Sequence, residues 1–590
     1  MSQQKNNNVQ KHFYRASAEN FMNIPGNPVA YWVSKKLTRA YEDGIAFESI
    51  AEPRVGLDTG NNERFIRFFH EVEFNKIGFN KVDKEQFWND NAKYVPHTKG
   101  GGFRKWFGNF EYVLMFDHDN YHRLLESGNH LPSRTYYFKE GANWSRISTD
   151  KFSIRYTPQG FVFNSACPTI FSKTDDILIL CSFLMAPVAT LLLSAISPTT
   201  NFQAGEIRKL PIIKFNREVV LNLTHELVLL AKNDWNAYES SWDFSSLPLL
   251  SVSFNSPQLK TTYQNLHTYR LETVLETRRL EEECNRIFID AYGLQDELTP
   301  EVPLSEITLT CNPHYRYGGN LTDDEREARL QSDTLCELIS YAIGCMMGRY
   351  SLDRDGLVYA HAGNEGFKAL VEEGAYATFA ADDDGILPLT SENWFADDVA
   401  ARIEQFVRTV WGAETLEENL QFIADSLCLA AIKPVKKGGE TARETIRRYL
   451  STQFFKDHMK TYKKRPIYWL FSSGKEKAFE CLVYLHRYNE ATLPRMRTEY
   501  VTPLLGQMAG RIERLRLQQA EAGTAEAKRI GKEIETLTKQ LAELRAFDDE
   551  LKHHADMRIR LDLDDGVKVN YGKFGTLLSE VKAITGDKGE

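Results

Sequence analysis

The spacing of apolar residues changes near residue 216, and this change constrains the fold more than any other feature of the chain. Before it, short β-like runs at 112–116, 152–156 and 161–163 alternate with turn residues. After it, apolar residues recur at helical spacing, first over 218–232 and then over 259–292. The sequence therefore predicts an α+β domain followed by a mainly helical C-terminal region.

Near the C-terminus, an apolar stripe at coiled-coil-like spacing predicts a long helix. Its members are Ile530, Ile534, Leu537, Leu541, Leu544 and Leu551. A second stripe runs from Leu505 to Leu515, and Ala522, Gly523 and Thr524 offer a bend between the two. We predict an antiparallel helical hairpin, which packs either on its own domain or against another chain.

These patterns divide the 590 residues into six segments. The predicted segments are a flexible N-terminal entry at 1–20, an α+β domain at 21–215, a helical spacer at 216–300, a mainly helical domain at 301–500, the helical hairpin at 501–560 and a C-terminal tail at 561–590.

Charge is distributed unevenly along the chain. The first 215 residues hold 26 Lys and Arg against 21 Asp and Glu, whereas the remainder holds 46 against 60 and the whole chain carries −9. A polyanionic partner would therefore favour the first part.

The location and redox state follow from local sequence. The longest apolar run, at 177–196, is interrupted by polar residues and proline, and the polar N-terminus resembles no secretory signal. The eight cysteines form no Cys-x-x-Cys pair. We expect a cytoplasmic protein with reduced cysteines and no metal site.

No motif of a self-contained enzyme is present. The chain has no Gly-x-Ser-x-Gly elbow, no His-Glu-x-x-His pair and no complete phosphate-binding loop. Asn312-Pro-His-Tyr approaches the Asn-Pro-Pro-Tyr motif that amino-methyltransferases use to hold a flipped base, but its third residue is histidine. We interpret it as a turn before a helix and expect no catalytic residue in this chain.

The strongest functional signal lies in two loops of the α+β domain. One, from Glu52 to Phe65, combines small turn residues with polar donors, and the other, from Lys99 to Asn109, mixes three glycines with cations and aromatic rings. Such loops suit a phosphate backbone and base edges, although a structural loop covering a sheet remains an alternative. The predicted DNA-contacting residues are Arg54, Thr59, Asn61, Lys99, Arg104, Lys105 and Arg155.

The predicted contacts fall into two roles. Lys99 and Lys105 are expected at phosphates, where loss of a cation weakens binding to every sequence about equally. Arg104 and Asn61 are expected to read bases, where loss relaxes discrimination at one position.

Several long motifs resemble the C-terminal half of the PglX family, the adenine-specific DNA methyltransferases of BREX phage defence. They include Gly56-Leu-Asp-Thr-Gly-Asn-Asn-Glu-Arg-Phe, Lys99-Gly-Gly-Gly-Phe-Arg-Lys-Trp-Phe-Gly-Asn and Lys464-Arg-Pro-Ile-Tyr-Trp-Leu-Phe-Ser-Ser-Gly-Lys. The resemblance implies a target-recognition domain at about 21–215, similar to those of restriction-modification proteins, and a helical scaffold beyond it.

The resemblance also implies a partner for this chain. Complete family members carry an S-adenosylmethionine-binding catalytic domain, and its cofactor motif and Asn-Pro-Pro-Tyr are not found in this sequence. A catalytic subunit or domain is therefore the implied partner, together with double-stranded DNA and with other BREX proteins or phage DNA-mimic inhibitors. We expect no cofactor bound to this chain and no membrane association.

Two other functions stay open. The chain could be a protein-interaction scaffold of a defence complex with little DNA specificity of its own. It could also be an independent enzyme whose catalytic residues come together only in three dimensions.

Overall fold

The computed structural model describes residues 22, 24–26, 32–147, 151–174, 176–196, 201–435 and 439–586. The predicted N-terminal entry at 1–20 lies outside this set. The chain divides into two compact units that are not contiguous in sequence. Among the described residues, the first unit comprises those up to 66, 76–235 and 269–319, and the second comprises 67–75, 236–268 and those from 320 onward.

Strands occur in both units, and three of them lie in the segment at 301–500 that was predicted to be mainly helical. In chain order they are β1 Ile45–Ala46, β2 Ala51–Arg54, β3 Ile66–Phe68, β4 Tyr94–Thr98, β5 Tyr112–Met115, β6 Gly141–Trp144, β7 Ile154–Thr157, β8 Val162–Phe163, β9 Thr169–Ser172, β10 Pro211–Ile212, β11 Ile386–Pro388, β12 Tyr468–Ser472 and β13 Glu480–Tyr484. The three β-like runs predicted from sequence correspond to β5, β7 and β8.

Helices dominate the chain after residue 216. Before that point they are Lys35–Asp43, Asn62–Phe65, Lys84–Asn89, His118–Glu126, Ile177–Met185, Pro187–Ile196 and Ala204–Ile207. After it they are Arg217–Asn236, Leu259–Tyr292, Pro313–Arg316, Asp323–Met346, Phe367–Glu372, Val399–Trp411, Leu416–Ala430, Ala442–Tyr449, Phe455–Thr461, Thr492–Arg495, Thr502–Glu521, Thr524–Asp556, Gly566–Gly572 and Val581–Thr585. The helices predicted at 218–232 and 259–292 are confirmed.

In the first unit, β2, β9, β6 and β7 form a four-stranded antiparallel sheet in that order. A second sheet places β4 between β5 and β8, with β5 antiparallel and β8 parallel to it. The core beneath the first of these sheets buries Trp144, whose indole N–H donates to the Phe202 carbonyl at 2.9 Å, together with Phe183 and Phe288. Residues of the predicted helical spacer thus contribute to the first unit.

The second unit is mainly helical around the antiparallel sheet β11-β13-β12. One of its long helices, Asp323–Met346, begins at a capping box in which Thr322 and Glu325 each accept from a backbone N–H of the other. The predicted hairpin appears as the helices Thr502–Glu521 and Thr524–Asp556. Its coiled-coil character stays a prediction.

Two further expectations concern the whole chain. All eight cysteines are unpaired, with Cys336 and Cys428 half-buried and the others buried. Within the described ranges, no single helix is both long and apolar enough to cross a membrane, and Ile177–Met185 with Pro187–Ile196 meets that test only as a pair bent by 72°.

Candidate nucleic-acid interface

Three chain segments of the first unit run side by side in the same direction and end at one edge. β4 pairs with β8 in parallel, and the Asn164 N–H continues the pairing to the Thr98 carbonyl at 3.2 Å. On the other side, Leu57 bridges Asn164 in parallel. The loops that follow, at 58–62, 99–103 and 165–167, therefore leave the sheet at the same edge, which we call the loop edge.

The loop at 58–62 is held by close backbone contacts. Gly60 has φ +70°, and a Cβ there would lie 2.9 Å from the Gly128 nitrogen. A Cβ at Gly128 would lie 1.7 Å from the Asp58 carbonyl oxygen, so only glycine permits this approach. The Thr59 side chain is buried and its hydroxyl donates to the Asn62 amide oxygen at 2.7 Å, whereas Asn61 is exposed.

Asn61 also begins the short helix Asn62–Phe65, because its side-chain oxygen accepts from the Arg64 N–H at 3.1 Å. This bond orients the Asn61 amide at the surface of the loop edge. The predicted base reader is thus accessible, while Thr59 supports the loop from within.

The glycine loop at 99–103 is fixed by two neighbouring side chains. The Ser145 hydroxyl donates to the Gly101 carbonyl at 3.1 Å, and the Asn109 amide donates to the Gly102 carbonyl at 3.0 Å. Gly101 and Gly102 are exposed. The Lys99 ammonium lies 5.2 Å from the centroid of the Tyr112 ring, and partial burial lowers its pKa. Lys99 is the predicted phosphate contact that reaches the loop edge.

Arg54, at the end of β2, is already engaged by neighbours. Its guanidinium pairs with Glu52 and lies 4.8 Å from the centroid of the Tyr136 ring, with about a third of the side chain exposed (33%). The Glu52 carboxylate neutralises much of its charge, so Arg54 is a weaker candidate than Lys99.

The structure does not place Arg104 at the surface. The side chain is 6% exposed and donates to Asp234 at 2.8 Å, to the Thr310 hydroxyl at 2.9 Å and to the Phe107 carbonyl at 3.0 Å. With three internal acceptors and only 6% of its side chain exposed, the guanidinium is not accessible to a base in this conformation. This burial does not support the predicted base-reading role of Arg104, which stays a prediction.

Lys105 and Arg155 are buried in the same way, and their predicted DNA contacts stay predictions. Lys105 is buried and pairs with Glu281, which also accepts from the Trp106 indole at 2.6 Å. Arg155 is fully buried in β7 and donates to the Asn143 amide oxygen at 2.8 Å. A buried cation needs an internal partner. Glu281 lies 176 positions from Lys105 in sequence, whereas Asn143 faces Arg155 from the adjacent strand β6.

Asn312-Pro-His-Tyr is internal to the first unit. The buried Asn312 amide donates to the carbonyls of Leu304 and Ile307 at 2.7 and 2.8 Å, and its oxygen accepts from the His314 N–H at 3.1 Å. The Tyr315 hydroxyl donates to the Phe103 carbonyl at 2.5 Å. These residues do not fit a base or S-adenosylmethionine site, and the motif begins the helix Pro313–Arg316, as its interpretation as a turn before a helix predicted.

Sequence reasoning noted Arg64 as a donor of the first loop without selecting it as a contact, and it missed Arg146. Arg64 is exposed, and Arg146 is half-buried with an Nε atom that has no hydrogen-bond partner. The backbone of Arg146 is held by the Ala166 carbonyl at 3.0 Å, which places it beside the loop at 165–167. Asp58 and Glu63 are the exposed acids nearby.

No protein-family model matches the chain. The chain is 49% identical over 582 residues to the adenine-specific methyltransferase BrxX of Escherichia coli O9:H4 (strain HS), a match that covers 98% of this chain and 47% of the relative. It is 37% identical over 582 residues to the adenine-specific methyltransferase PglX of Lacticaseibacillus casei (strain Zhang), covering 95% of this chain and 45% of the relative. The chain spans about half the length of the curated relatives it matches.

These matches are consistent with the predicted family resemblance. Homologues of this chain include adenine-specific methyltransferases, and the similarity extends through both compact units.

Proposed function

We propose that this chain recognises double-stranded DNA as part of a BREX-type adenine-specific methyltransferase, and that the catalytic domain that binds S-adenosylmethionine lies outside these 590 residues. The observation that carries the proposal is the similarity of almost the whole chain to about half of two adenine-specific methyltransferases. We further propose that the matching part corresponds to their C-terminal half.

The loop edge supports a role in DNA binding. Exposed glycines let a backbone approach phosphate closely, and the side chains around them can donate hydrogen bonds. Lys99, Arg64 and Arg146 would neutralise phosphates, and the exposed Asn61 amide can pair with an adenine edge. Asn61 and Lys99 thus remain our candidates for readout and positioning, respectively.

A salt titration of DNA binding tests this role. We expect Lys99→Met to weaken binding of a duplex to the purified chain and to reduce the slope of log affinity against log salt by about one. The measurement is fluorescence anisotropy over a range of salt concentrations.

The matched control is Lys36→Met, since Lys36 is exposed on the helix Lys35–Asp43 and pairs with Asp296 at 2.9 Å. Equal slopes for both variants would contradict a phosphate contact at Lys99. Replacement of Asn61 by alanine should instead reduce the preference for the cognate duplex, at a cost of about 1–3 kcal/mol.

A second candidate is a protein-interaction scaffold of the defence complex. The observation that favours it is the internal neutralisation of Arg104 and Lys105 by Asp234 and Glu281, which removes two cations from the α+β domain's surface. This candidate predicts weak, salt-insensitive DNA binding together with a stable complex with another BREX protein or a DNA-mimic inhibitor. The same anisotropy titration therefore separates the two candidates.

A further inference from the structure

The core of the second unit contains a group of buried polar side chains whose hydrogen bonds are incomplete. Each has one side-chain atom with no hydrogen-bond partner. The group, which we call the polar chamber, consists of His70, Glu239, Arg349, His458, Tyr468 and His486. Each residue is at least nine-tenths buried.

Ring contacts connect the members of the polar chamber. The His458 ring lies 4.8 Å from Tyr468 and 4.6 Å from Tyr462, which in turn lies 4.8 Å from His70. The Tyr484 ring is 5.6 Å from Tyr468. The residues that carry the unpartnered atoms therefore form one connected cluster.

Arg349 and Glu239 join the same cluster through tyrosine hydroxyls. Arg349 donates to the Tyr484 hydroxyl at 3.0 Å, and Tyr484 lies 5.0 Å from His486. One oxygen of Glu239 accepts from the Tyr462 hydroxyl at 3.2 Å and from Ser340 at 2.9 Å. The other oxygen of Glu239 and Nη2 of Arg349 are the unpartnered atoms.

The histidines supply both donors and acceptors. Nε2 of His458 accepts from the backbone N–H groups of Ile467 and Tyr468 at 3.1 Å each, so the proton of the neutral ring is on Nδ1, a donor. Nε2 of His486 donates to the Val72 carbonyl at 2.9 Å, so its Nδ1 is an acceptor. Burial lowers the pKa of both rings to about 3, which keeps them neutral at ordinary pH.

Burial raises the pKa of Glu239 to about 7, while hydrogen bonding from Ser340 and the positive charge of Arg349 oppose that shift. No hydrogen bond joins Arg349 to Glu239, so each charged group lacks the partner that a buried ion requires. In the described part of the chain, no three His, Cys, Asp or Glu side chains are placed to hold a metal ion. An anion would satisfy the donors and leave the acceptors unpaired.

Water is the smallest molecule that can satisfy both kinds of atom, and buried waters typically make about three hydrogen bonds to such groups. We propose that the polar chamber holds a cluster of ordered water molecules that completes an ion pair between Arg349 and Glu239.

A crystal structure of the full chain at a resolution better than about 2 Å tests the proposal directly. We expect discrete density peaks within hydrogen-bond distance of at least two chamber atoms each, with one peak or chain of peaks linking Nη2 of Arg349 to Glu239. A direct Arg349–Glu239 contact, an organic ligand or an empty space between them would overturn the proposal.

Variants provide an independent measurement in solution. Arg349→Met should lower the melting temperature of the chain by roughly 6 °C or more, because it leaves a buried carboxylate without its counterion. Adding Glu239→Gln to that variant should recover part of the loss. Ser340→Ala is the control, since it removes a direct bond to Glu239 without touching the proposed water. Strict additivity of the Arg349 and Glu239 changes would contradict a linked pair, and the density map decides the question if a variant does not fold.

Discussion

Arg104 and Asp234 illustrate how a cation that looks suited to DNA can serve the protein interior. Asp234 pairs with Arg104 at 2.8 Å and also accepts from the backbone N–H groups of Thr310 and Cys311 at 2.6 and 2.9 Å. The indole of Trp235 lies 4.8 Å from the guanidinium. At the residue scale, the ion pair therefore connects the glycine loop region, the end of the helix Arg217–Asn236 and the backbone at 310–311.

Removal of Asp234 should show how strongly the stability of the first unit depends on this ion pair. We expect Asp234→Ala to destabilise the first unit by about 3–5 kcal/mol, because Arg104 would stay buried without a counterion. Urea unfolding monitored by fluorescence measures the loss. The control is Asp296→Ala, which breaks the exposed pair with Lys36 and should cost at most about 1 kcal/mol. A similar effect of the two variants would show that Arg104 is not strongly coupled to Asp234.

His97 predicts a dependence of stability on pH. It is fully buried in β4 and its Nδ1 donates to the Val162 carbonyl at 2.8 Å, while burial lowers its pKa to about 3. The unfolded chain binds this proton near pH 6.5 and the folded chain does not, so stability is present above pH 6.5 and falls as the pH decreases towards 3. Lowering the pH from 6.5 to 4.5 should reduce the free energy of unfolding by about 2–3 kcal/mol through the protonation of this one group.

Unfolding free energies at a series of pH values test this prediction. We expect His97→Gln to lose less stability than the unmodified chain over the same interval, whereas His122→Gln, at an exposed position, should follow the unmodified chain. Parallel curves for all three proteins would show that His97 does not determine the acid sensitivity.

At the scale of elements, the helical pair near the C-terminus is organised by its apolar stripe. Leu544 is fully buried on Thr524–Asp556, and Arg511 of the other helix forms an ion pair with Glu533. Leu517, on Thr502–Glu521, is 71% exposed. The same residue type therefore has very different surroundings on the two helices.

Leu544→Ala should destabilise the second unit by about 2–5 kcal/mol, because it removes buried methyl groups and leaves a cavity. Leu517→Ala is the matched control and should change stability by less than about 0.5 kcal/mol. Thermal unfolding followed by near-UV circular dichroism measures both. Equal effects would mean that the stripe is not the packed face of this pair.

At the scale of the whole molecule, two units with separate cores are built from a chain that passes between them several times. The relatives match residues throughout both units, so the family similarity is not confined to the α+β part. The proposed division of labour, in which this chain recognises DNA and another domain transfers the methyl group, therefore concerns the chain as a whole.

This division predicts no methyl transfer by the chain alone. Incubated with duplex DNA and tritiated S-adenosylmethionine, the purified chain should label DNA no more than a sample without protein. The full-length relative from Escherichia coli serves as the positive control. Labelling by the isolated chain would support the alternative of an independent enzyme and would refute the external catalytic domain.

The sequence by itself determined much of the local structure. The helix Leu259–Tyr292, the helical pair near the C-terminus and strands β5, β7 and β8 follow from apolar spacing and turn residues, which act over a few neighbouring positions. The glycine loop and the exposed Asn61 could also be selected from local sequence. Similarly, the internal role of Asn312 agrees with the missing second proline of its motif.

Only the tertiary structure decided which charged residues are available to a ligand. The counterions of Arg104 and Lys105 are Asp234 and Glu281, which lie more than a hundred positions away in sequence. No local sequence pattern predicts these contacts. The division into two units was hidden for the same reason, because helical spacing shows that a segment has an apolar face but not which core buries it. Burial and charge pairing depend on contacts between distant segments, and those contacts exist only once the chain has folded.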